Sequence, residues 1–359
     1  MEIYLIFLFL TCLVFLALKV SARTKVKERG SSFDLSDISL VVPFRNEERN
    51  LPALLSSLLN QNALPTQIIF VNDHSTDLSE QIIQDFISKH QIGQLFSLED
   101  ELGKKEALAL GIRNVQTNYV LTMDADVVLN DKYMQSISEI EEVDFISLPV
   151  IMSYKGFLQG IFAVEFMFFN AFNFLFSGYK LITANGANLL FNVKAVDYDE
   201  QLETHLNIAS GDDHYLLKTF QKVGKEVHMN NLNNLSVATE GPKGLNDYFN
   251  QRIRWAGKSI HRTELLEFIL SIFFLIYFIG GFALLVALLV AGNYSAFLTV
   301  FLIRLLIDIA AYMNYGSRLR IYYGLIFLPF FQIIYPILFM LTVVLSLFKK
   351  PTWKDRKLT

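Results

Sequence analysis

Two aspartates separated by one residue, Asp124 and Asp126, are the first candidates for chemistry in this chain. They follow the apolar run YVLTM, and a chain that turns at a strand end can direct both carboxylates toward one cation. Mg²⁺ or Mn²⁺ held there would bridge to diphosphate oxygens and act as a Lewis acid on a departing nucleoside diphosphate. Taken alone the pattern is weak, because acidic residues after strands are commonly turn formers.

A second acidic pair lies in the segment Ser210-Gly211-Asp212-Asp213, which opens a helical pattern. One of these carboxylates can act as the general base that accepts the proton of an attacking hydroxyl. The alternative is structural: Ser210 caps the helix, and the two aspartates favour its N-terminal dipole.

The third candidate group is the segment Gln251-Arg252-Ile253-Arg254-Trp255. Arginine can hold a diphosphate through paired hydrogen bonds, and tryptophan offers an apolar platform for a sugar ring or a base. The same residue types also suit a juxtamembrane belt at the level of the lipid headgroups. The residues alone leave both interpretations open.

The elements that must position these groups alternate between strand and helix. Apolar runs predict strands at Ile38–Val42, Gln67–Val71, Gln94–Leu98, Tyr119–Met123 and Asp144–Leu148. Helices are predicted after Asn50 as a cap, after Asp77 as a cap, and over 104–114, where Gly103 opens the helix. This order predicts an α/β fold with a mostly parallel, doubly wound sheet, in which ligands bind at the carboxyl ends of the strands. Because Asn46-Glu47, Asn72-Asp73 and the first aspartate pair all follow strand ends, they predict one shared site.

The composition points to lipid contact, since 52% of the residues are hydrophobic and the mean hydropathy is +0.36. A net charge of −4 gives no nucleic-acid footprint, so we expect no nucleic-acid partner. The single cysteine, Cys12, excludes both an intramolecular disulfide and a cysteine metal cluster. His205, His214 and His228 show no ligand spacing and are predicted to be structural.

Apolar segments predict a membrane protein with several spans. Residues 1–20 read as a transmembrane anchor rather than a signal peptide, because the basic residues follow the apolar run, in a linker over 21–37. The positive-inside rule then puts a globular domain over 38–262 in the cytosol. Apolar segments at 265–291, 296–313 and 321–347 predict C-terminal spans within 265–348, ahead of a basic tail over 349–359.

Three C-terminal spans conflict with that rule, because they would put the basic tail outside. The last segment contains Pro329 and Pro336 and can be broken or re-entrant; alternatively, the segment with Arg304 and Asp308 does not cross fully. That pair is four residues apart and is expected to form a structural ion pair. The apolar segment 156–177 is predicted to be an interfacial or buried helix with Glu165 as a satisfied structural carboxylate, since a span there would separate the two aspartate pairs.

In this order, the motifs resemble those of membrane-associated glycosyltransferase family 2, the type of hyaluronan, chitin and cellulose synthases and of ceramide glucosyltransferases. The matching elements are Pro43-Phe44-Arg45-Asn46-Glu47, Val71-Asn72-Asp73-His74-Ser75, Gly103-Lys104-Lys105 with Ala107-Leu108, Asp124-Ala125-Asp126, Asn185-Gly186-Ala187-Asn188, Ser210-Gly211-Asp212-Asp213 and Gln251-Arg252-Ile253-Arg254-Trp255. The resemblance covers residues 38–260. It departs at Asn72, where the family usually has an aspartate.

The resemblance implies a GT-A fold, a nucleotide-sugar donor that is most often UDP-linked, and inversion at the anomeric carbon. It implies Asp126 and Asp124 as ligands of Mg²⁺ or Mn²⁺, and Asp213, with Asp212 beside it, as the catalytic base. The implied donor-binding residues are Glu47, Asn72, Asp73, Lys104, Lys105, Asp124, Gln251 and Arg254. The implied acceptor-binding residues are Trp255, Asn185 and Gly186.

The predicted function is therefore sugar transfer from a nucleotide sugar to a hydroxyl of a lipid or lipid-linked acceptor, by a multi-pass protein of the plasma or inner membrane. A processive polysaccharide synthase is the first alternative, and a membrane carrier whose α/β domain only binds nucleotide is a weaker one. The sequence identifies no protein partner.

Overall fold

The computed structural model describes residues 1–23, 31–100, 102–203, 211–260, 264–349, 352–353 and 356–357. The strands are β1 Ile38–Phe44, β2 Gln67–Asn72, β3 Gln94–Ser97, β4 Tyr119–Met123, β5 Val127–Leu129, β6 Phe145–Ser147, β7 Val150–Ser153, β8 Asn188–Asn192, β9 Val227–Met229, β10 Val237–Glu240, β11 Thr352–Trp353 and β12 Arg356–Lys357. The helices are α1 Glu2–Arg23, α2 Leu51–Leu59, α3 Ser79–His90, α4 Lys104–Arg113, α5 Tyr133–Ile137, α6 Phe157–Ser177, α7 Tyr198–Glu203, α8 Asp212–Lys222, α9 Leu245–Ile260, α10 Leu265–Phe274, α11 Gly281–Val290, α12 Tyr294–Gly316 and α13 Leu328–Ser346.

The central sheet has seven strands in the order β3-β2-β1-β4-β8-β6-β9. The first four are parallel, as the alternation of strands and helices predicts. β8 runs antiparallel between β4 and β6, so the strand predicted near 144–148 is not the neighbour of β4. A smaller sheet, β5-β10-β7, joins the segment after Asp126 to the strand that precedes α9.

The core lies on both faces of the large sheet, because alternate residues of its buried strands point to opposite sides. Val41 and Val71 belong to one apolar cluster, and Val42 and Phe70 belong to the other. α4 packs closely on the first face at Gly111, where an added Cβ would stand 2.5 Å from Val41 Cγ1. This contact fixes the N-terminus of α4 beside the carboxyl ends of the strands.

The three predicted helix caps have different outcomes. Asn50 occupies the cap position of α2 but makes no side-chain cap hydrogen bond. Leu78 occupies the cap position of α3. Asp77, one residue earlier, still accepts through Oδ1 from the N–H of Ser79, the first residue of α3, at 3.0 Å. Ser210 lies outside the described residues, and Gly211 occupies the cap position of α8.

The apolar segment 156–177 forms α6, and most of its side chains are buried. It packs against α1, α12 and α13, while the strands before and after it both pair within the sheets of the domain. The segment after α6 turns back along the helix. Asn173 Oδ1 holds it there by accepting from the N–H groups of Ile182 and Thr183. The prediction of a buried helix is confirmed.

Four described helices are long and apolar enough to cross a membrane, judged by length and composition. They are Phe157–Ser177, Leu265–Val290, Tyr294–Gly316 and Leu328–Ser346. The second is α10 and α11 joined by a π-helical segment over Leu275–Gly280. The three predicted C-terminal segments therefore correspond to helices, and the last is one helix with Pro329 in its first turn and Pro336 inside it.

Arg304 and Asp308 are both fully buried between these helices, but they do not form the predicted ion pair. The carboxylate of Asp308 accepts from Tyr277 Oη at 2.6 Å and Gln332 Nε2 at 2.9 Å. The guanidinium of Arg304 lies over the Tyr277 ring, 5.2 Å from its centroid, and its nitrogens have no hydrogen-bond partner. Tyr277 and Gln332 thus supply the contacts to Asp308 that the sequence analysis expected from Arg304.

Both ends of α13 lie against the globular domain. Just before it, Tyr323 Oη donates to the Met152 carbonyl at 3.2 Å, and Phe327 packs against Tyr154. Just after it, Lys349 Nζ donates to Asn246 Oδ1 at 3.1 Å. Between these ends the helix packs against α6 and α9, and also against α11 and α12.

Candidate active site

A cavity of about 1060 Å³ lies at the carboxyl edge of the large sheet. β1, β2 and β4 end side by side there, because Phe44 pairs with Asn72 and Val41 with Thr122 in parallel register. The predicted site residues that line it are Glu47, Asp73, Lys104, Lys105, Asp124, Asp126, Asn185, Gly186, Asp212, Asp213, Gln251, Arg254 and Trp255. Motifs that are far apart in the sequence therefore share one cavity.

Asp124 and Asp126 follow β4 directly and are partly exposed, whereas Ala125 between them is buried. The two carboxylates have different surroundings. Lys104 Nζ donates to Asp124 Oδ1, so this carboxylate is already charge-paired. Asp126 faces the same cavity and lies within electrostatic reach of Arg254.

Two residues with left-handed backbone shape the ends of β1 and β2. Asn46 has φ 49° and His74 has φ 54°, a region that asparagine and histidine tolerate better than most residues. Arg45 Nη1 holds the two loops together by donating to the carbonyls of Asp73 and His74, both at 2.7 Å. Asp73 is buried at the cavity wall, and its carboxylate accepts from the N–H of Gly103 at 3.2 Å.

Asn72, expected among the donor-binding residues, has hydrogen-bond partners in its own loop and in α3. Its Nδ2 donates to Glu80 Oε2 and its Oδ1 accepts from the N–H of Ser75, both at 2.9 Å, and it does not line the cavity. The amide that stands in place of the usual aspartate therefore organises the loop. Glu47 does line the cavity, and its carboxylate accepts from Asn50 Nδ2 at 2.6 Å.

Lys104 and Lys105, in the first turn of α4, face the carboxylates of the site. Burial alone would lower the pKa of Lys104, but Asp124, Asp212 and Asp213 outweigh it and raise that pKa above its ordinary value. Lys105 Nζ lies 3.8 Å from Asp212 Oδ1. Lys104 is therefore charged, and both lysines lie among acidic side chains that line the cavity.

Asp213 is held in position at the N-terminus of α8 by two backbone donors. Its Oδ1 accepts from the N–H of His214 at 2.8 Å, and its Oδ2 accepts from the N–H of Gly186 at 3.2 Å. An added Cβ on Gly186 would stand 3.3 Å from Asp213 Cβ, which is a tight contact. The backbone of Gly186, expected at the acceptor, therefore orients the expected base.

Arg254 lies among the aspartates of the site. Burial lowers the pKa of its guanidinium, and the carboxylates of Asp124, Asp212, Asp213 and Asp126 oppose that effect without cancelling it. An arginine so placed is suited to receive a diphosphate, because its planar donors match phosphate oxygens.

The neighbouring Arg252, which the sequence did not single out, supports this segment from behind. Its Nε and Nη2 donate to the two oxygens of Glu165 at 2.8 and 3.1 Å, and Nη1 donates to Gln251 Oε1 at 2.7 Å. The guanidinium also lies over the rings of Trp255 and Tyr248, at 4.3 and 4.8 Å. A buried glutamate in an apolar helix needs a cationic partner. Glu165 in the apolar segment was therefore the sequence signal that could have pointed to a partner such as Arg252.

Of the remaining predicted positions, Asn185 lines the cavity, whereas His214 and His228 do not. Asn185 Nδ2 donates to Asn170 Oδ1 at 2.9 Å, so its side chain links the return segment to α6. His214 is buried, with Nε2 4.0 Å from Glu267 Oε1, and His228 pairs with Glu226 at 3.0 Å. His205 lies outside the described residues.

Comparison with known proteins connects this site to a family. The model described as Glycosyl transferase family 2 matches residues 39–198, and the model described as Glycosyl transferase family group 2 matches residues 119–348. The second match covers more than half of the chain.

Curated relatives match over shorter stretches. Over 94 residues the chain is 36% identical to a poly-β-1,6-N-acetyl-D-glucosamine synthase of Staphylococcus epidermidis. The matched stretch covers 26% of this chain and 23% of that protein. Over 100 residues it is 34% identical to an undecaprenyl-phosphate 4-deoxy-4-formamido-L-arabinose transferase of Pectobacterium carotovorum. That stretch covers 26% of this chain and 30% of that protein. The chain thus spans less than a third of the length of these relatives.

A solved structure shares the fold over nearly the whole chain. It is a mannosyltransferase of Pyrobaculum calidifontis in complex with GDP-Man and Mn²⁺, 19% identical, with a TM-score of 0.57 over 93% of this chain and 94% of that one. This likeness confirms the GT-A fold. Together with the family match over residues 119–348, it establishes that the chain belongs to glycosyltransferase family 2 and is a glycosyltransferase.

Proposed function

We propose that this enzyme transfers a sugar, with inversion, from a nucleotide-sugar donor to a hydroxyl of a lipid or lipid-linked acceptor at the membrane. A UDP-sugar is the donor to test first. One observation supports this proposal most strongly. Asp213 projects into a cavity that holds Asp124, Asp126 and Arg254 at one end and is lined by apolar helices at the other.

The carboxylates of the cavity suit a divalent metal ion whose remaining ligands come from the substrate and water. Among the described residues, no three His, Cys, Asp or Glu side chains form a ready-made cluster. Mg²⁺ needs fewer protein ligands than that, because it keeps waters and takes phosphate oxygens. Asp126, with Asp124 beside it, would hold Mg²⁺ or Mn²⁺, which when bound offsets the charge of the leaving diphosphate. The GDP-Man and Mn²⁺ of the mannosyltransferase from Pyrobaculum calidifontis agree with this assignment and keep a GDP-sugar in the test.

The chain's own groups supply the other parts of the reaction. The carboxylate of Asp213 takes the proton of the attacking hydroxyl, and the N–H groups of Gly186 and His214 fix its direction. Arg254, Lys104 and Lys105 gain a new anionic partner as negative charge develops on the departing nucleotide. The buried Arg252 supports the Trp255 ring, which we assign to the acceptor side.

We infer that the domain is cytosolic and that α13 folds back on it instead of crossing the membrane. Support comes from the two ends of α13, which both contact the domain, and from Lys349, the first basic residue of the tail, beside Asn246. α10–α11 and α12 would then form an outward and a returning span. In a Cys12→Ser background, Gly292→Cys in the loop between them should react with a membrane-impermeant maleimide added outside. Labelling only after permeabilisation would contradict this placement.

The activity test is a donor screen. Purified protein is incubated with UDP- and GDP-sugars, Mg²⁺ or Mn²⁺ and membrane lipids, and nucleoside diphosphate release and glycosylated lipid are both measured. Asp213→Asn should retain donor binding and lose most transfer, because general-base catalysis contributes about 10²–10⁴-fold. Transfer that survives this change would refute the base assignment.

A processive polysaccharide synthase remains the second candidate, because one relative is a poly-β-1,6-N-acetyl-D-glucosamine synthase. The same screen separates the two functions. A synthase releases a polymer whose length grows with time and does not label lipid stoichiometrically.

A further inference from the structure

The chain between α6 and β8 forms part of the cavity wall. We call residues 180–187 the return segment. Most of it belongs to no helix or strand, so side chains of other elements must hold its backbone groups. Gln221 Nε2 of α8 donates to the carbonyl of Leu181 at 2.8 Å. Ser147 Oγ of β6 accepts from the N–H of Asn185 at 3.1 Å. The path of this wall therefore depends on a few side-chain contacts.

Asn173 of α6 makes three of these contacts. Its Oδ1 accepts from the N–H groups of Ile182 and Thr183 at 3.0 and 3.2 Å, and its Nδ2 donates to the carbonyl of Thr183 at 2.7 Å. Asn173 is 4% exposed, so the loss of its amide would leave buried backbone groups without partners. One side chain thus fixes two consecutive residues of the return segment.

A second buried amide lies three residues earlier on the same helix. Asn170 Oδ1 accepts from Asn185 Nδ2 at 2.9 Å. Residues three apart are neighbours on a helix surface, so both amides can face the same segment. Asn173 holds the return segment near its start, and Asn170 holds it near its end.

The residue after Asn185 carries this support to the expected base. The N–H of Gly186 donates to Asp213 Oδ2 at 3.2 Å, so a displacement of the return segment would move a donor of that carboxylate. α8, which begins next to Asp213, is itself tied to the return segment through Gln221. α6, the return segment and the carboxylate therefore form one connected unit.

We propose that Asn173 and Asn170 are positioning residues for sugar transfer. They hold the return segment where the N–H of Gly186 directs the Asp213 carboxylate toward the attacking hydroxyl. This inference rests on the proposed function, because it requires Asp213 to be the base. It gives a task to two buried amides on a helix apolar enough to cross a membrane, where an amide is costly unless it is hydrogen-bonded.

The first test separates catalysis from donor binding. Asn173→Leu removes the three hydrogen bonds with little change in side-chain volume. In the full-length protein it should lower kcat by about 10–100-fold, because a small displacement of a catalytic group is costly in rate. KM for the donor that the screen selects should stay unchanged. Asn170→Leu, which removes one contact to the return segment, should lower kcat by a smaller factor and also leave KM for the donor unchanged.

Phe168→Ala is the matched control for a loss of stability. Phe168 lies on the same helix, is 2% exposed, packs on Phe278 and Phe331, and does not line the cavity. This change should lower the midpoint of chemical unfolding at least as much as Asn173→Leu and should leave kcat of the folded enzyme nearly unchanged. Equal losses of kcat in the control and in the amide variants would overturn the proposal. If Asn173→Leu does not fold, Asn170→Leu is compared with the control in the same way.

The second test asks whether the effect passes through the base. In an Asp213→Asn background, with residual transfer measured from a radiolabelled donor, Asn173→Leu should cause at most about a twofold further loss, since residues that act as a unit are not additive. A further loss as large as in the wild type would overturn the positioning role and leave the base assignment standing. Undiminished transfer by the single variant Asp213→Asn would instead refute the base in the proposed function.

Discussion

The buried pair of Glu165 and Arg252 gives the sharpest quantitative prediction. Glu165 is 4% exposed and Arg252 is 8% exposed, and they meet through two hydrogen bonds of 2.8 and 3.1 Å. Burial lowers the pKa of Arg252, but the carboxylate of Glu165 outweighs burial and raises it. The guanidinium is therefore charged, and its charge is balanced mainly by one residue 87 positions away in the sequence.

Removing one partner should cost far more than removing both. Glu165→Leu leaves a buried guanidinium without its counter-charge, and Arg252→Met leaves a buried carboxylate, each at about 3–5 kcal/mol of unfolding free energy. The double variant Glu165→Leu/Arg252→Met replaces the pair by apolar side chains of similar length, which is often close to neutral. The coupling between the two sites should therefore exceed about 2 kcal/mol.

The assay is chemical unfolding in detergent, followed by circular dichroism, for the wild type and the three variants. Sugar transfer is measured in parallel, well below the unfolding midpoint. Transfer should stay low in the double variant even when its stability is restored, because Trp255 and Gln251 have lost the support of Arg252. Additive single effects, or single variants within about 1 kcal/mol of the wild type, would refute the reasoning.

Three further predictions concern the metal, the base and a helix cap. Dialysis against EDTA should abolish nucleoside diphosphate release, and Mg²⁺ or Mn²⁺ should restore it; undiminished turnover would contradict the metal assignment. Gly186→Ala should lower kcat by about 10–100-fold with little change in KM for the donor, because it displaces the Asp213 carboxylate; an unchanged kcat would show that the contact relaxes. Asp77→Ala should cost about 1 kcal/mol at neutral pH. Partial burial raises the pKa of Asp77, but hydrogen bonds from Ser79 and from the N–H of Glu48 lower it overall. The difference in stability should therefore vanish as pH falls through the lowered pKa, and a pH-independent deficit would contradict the cap.

The strands of the nucleotide-binding half could be predicted because each is a short apolar run that ends at a turn residue. β1 extends two residues beyond its predicted end, and β4 matches its prediction. The position of β8 could not be predicted, because pairing order depends on contacts between distant segments. For the same reason the sequence predicted a contact between Asn72 and the nucleotide-sugar donor. In the fold, the hydrogen-bond partners of its amide lie in its own loop and in α3.

The candidate site residues could be named from the order of their motifs, whereas the residues that support them could not. Asp126 and Asp213 project into one cavity, as predicted. The N–H of Gly186 orients Asp213, and the guanidinium of Arg252 supports Gln251 and Trp255. Both act through backbone geometry and burial, which leave no local pattern in the sequence. Such contacts become visible only when the fold brings α6, α8 and α9 together.

Hydropathy reports composition along a helix and carries no information about where the two ends of α13 lie in the fold. In the fold, the apolar side chains of α13 have two different surroundings. Phe331 and Tyr335 are buried, whereas Ile333 and Ile337 are exposed on the opposite face. A helix that contacts the domain at both ends and lines the catalytic cavity along its middle links the membrane part to the active site.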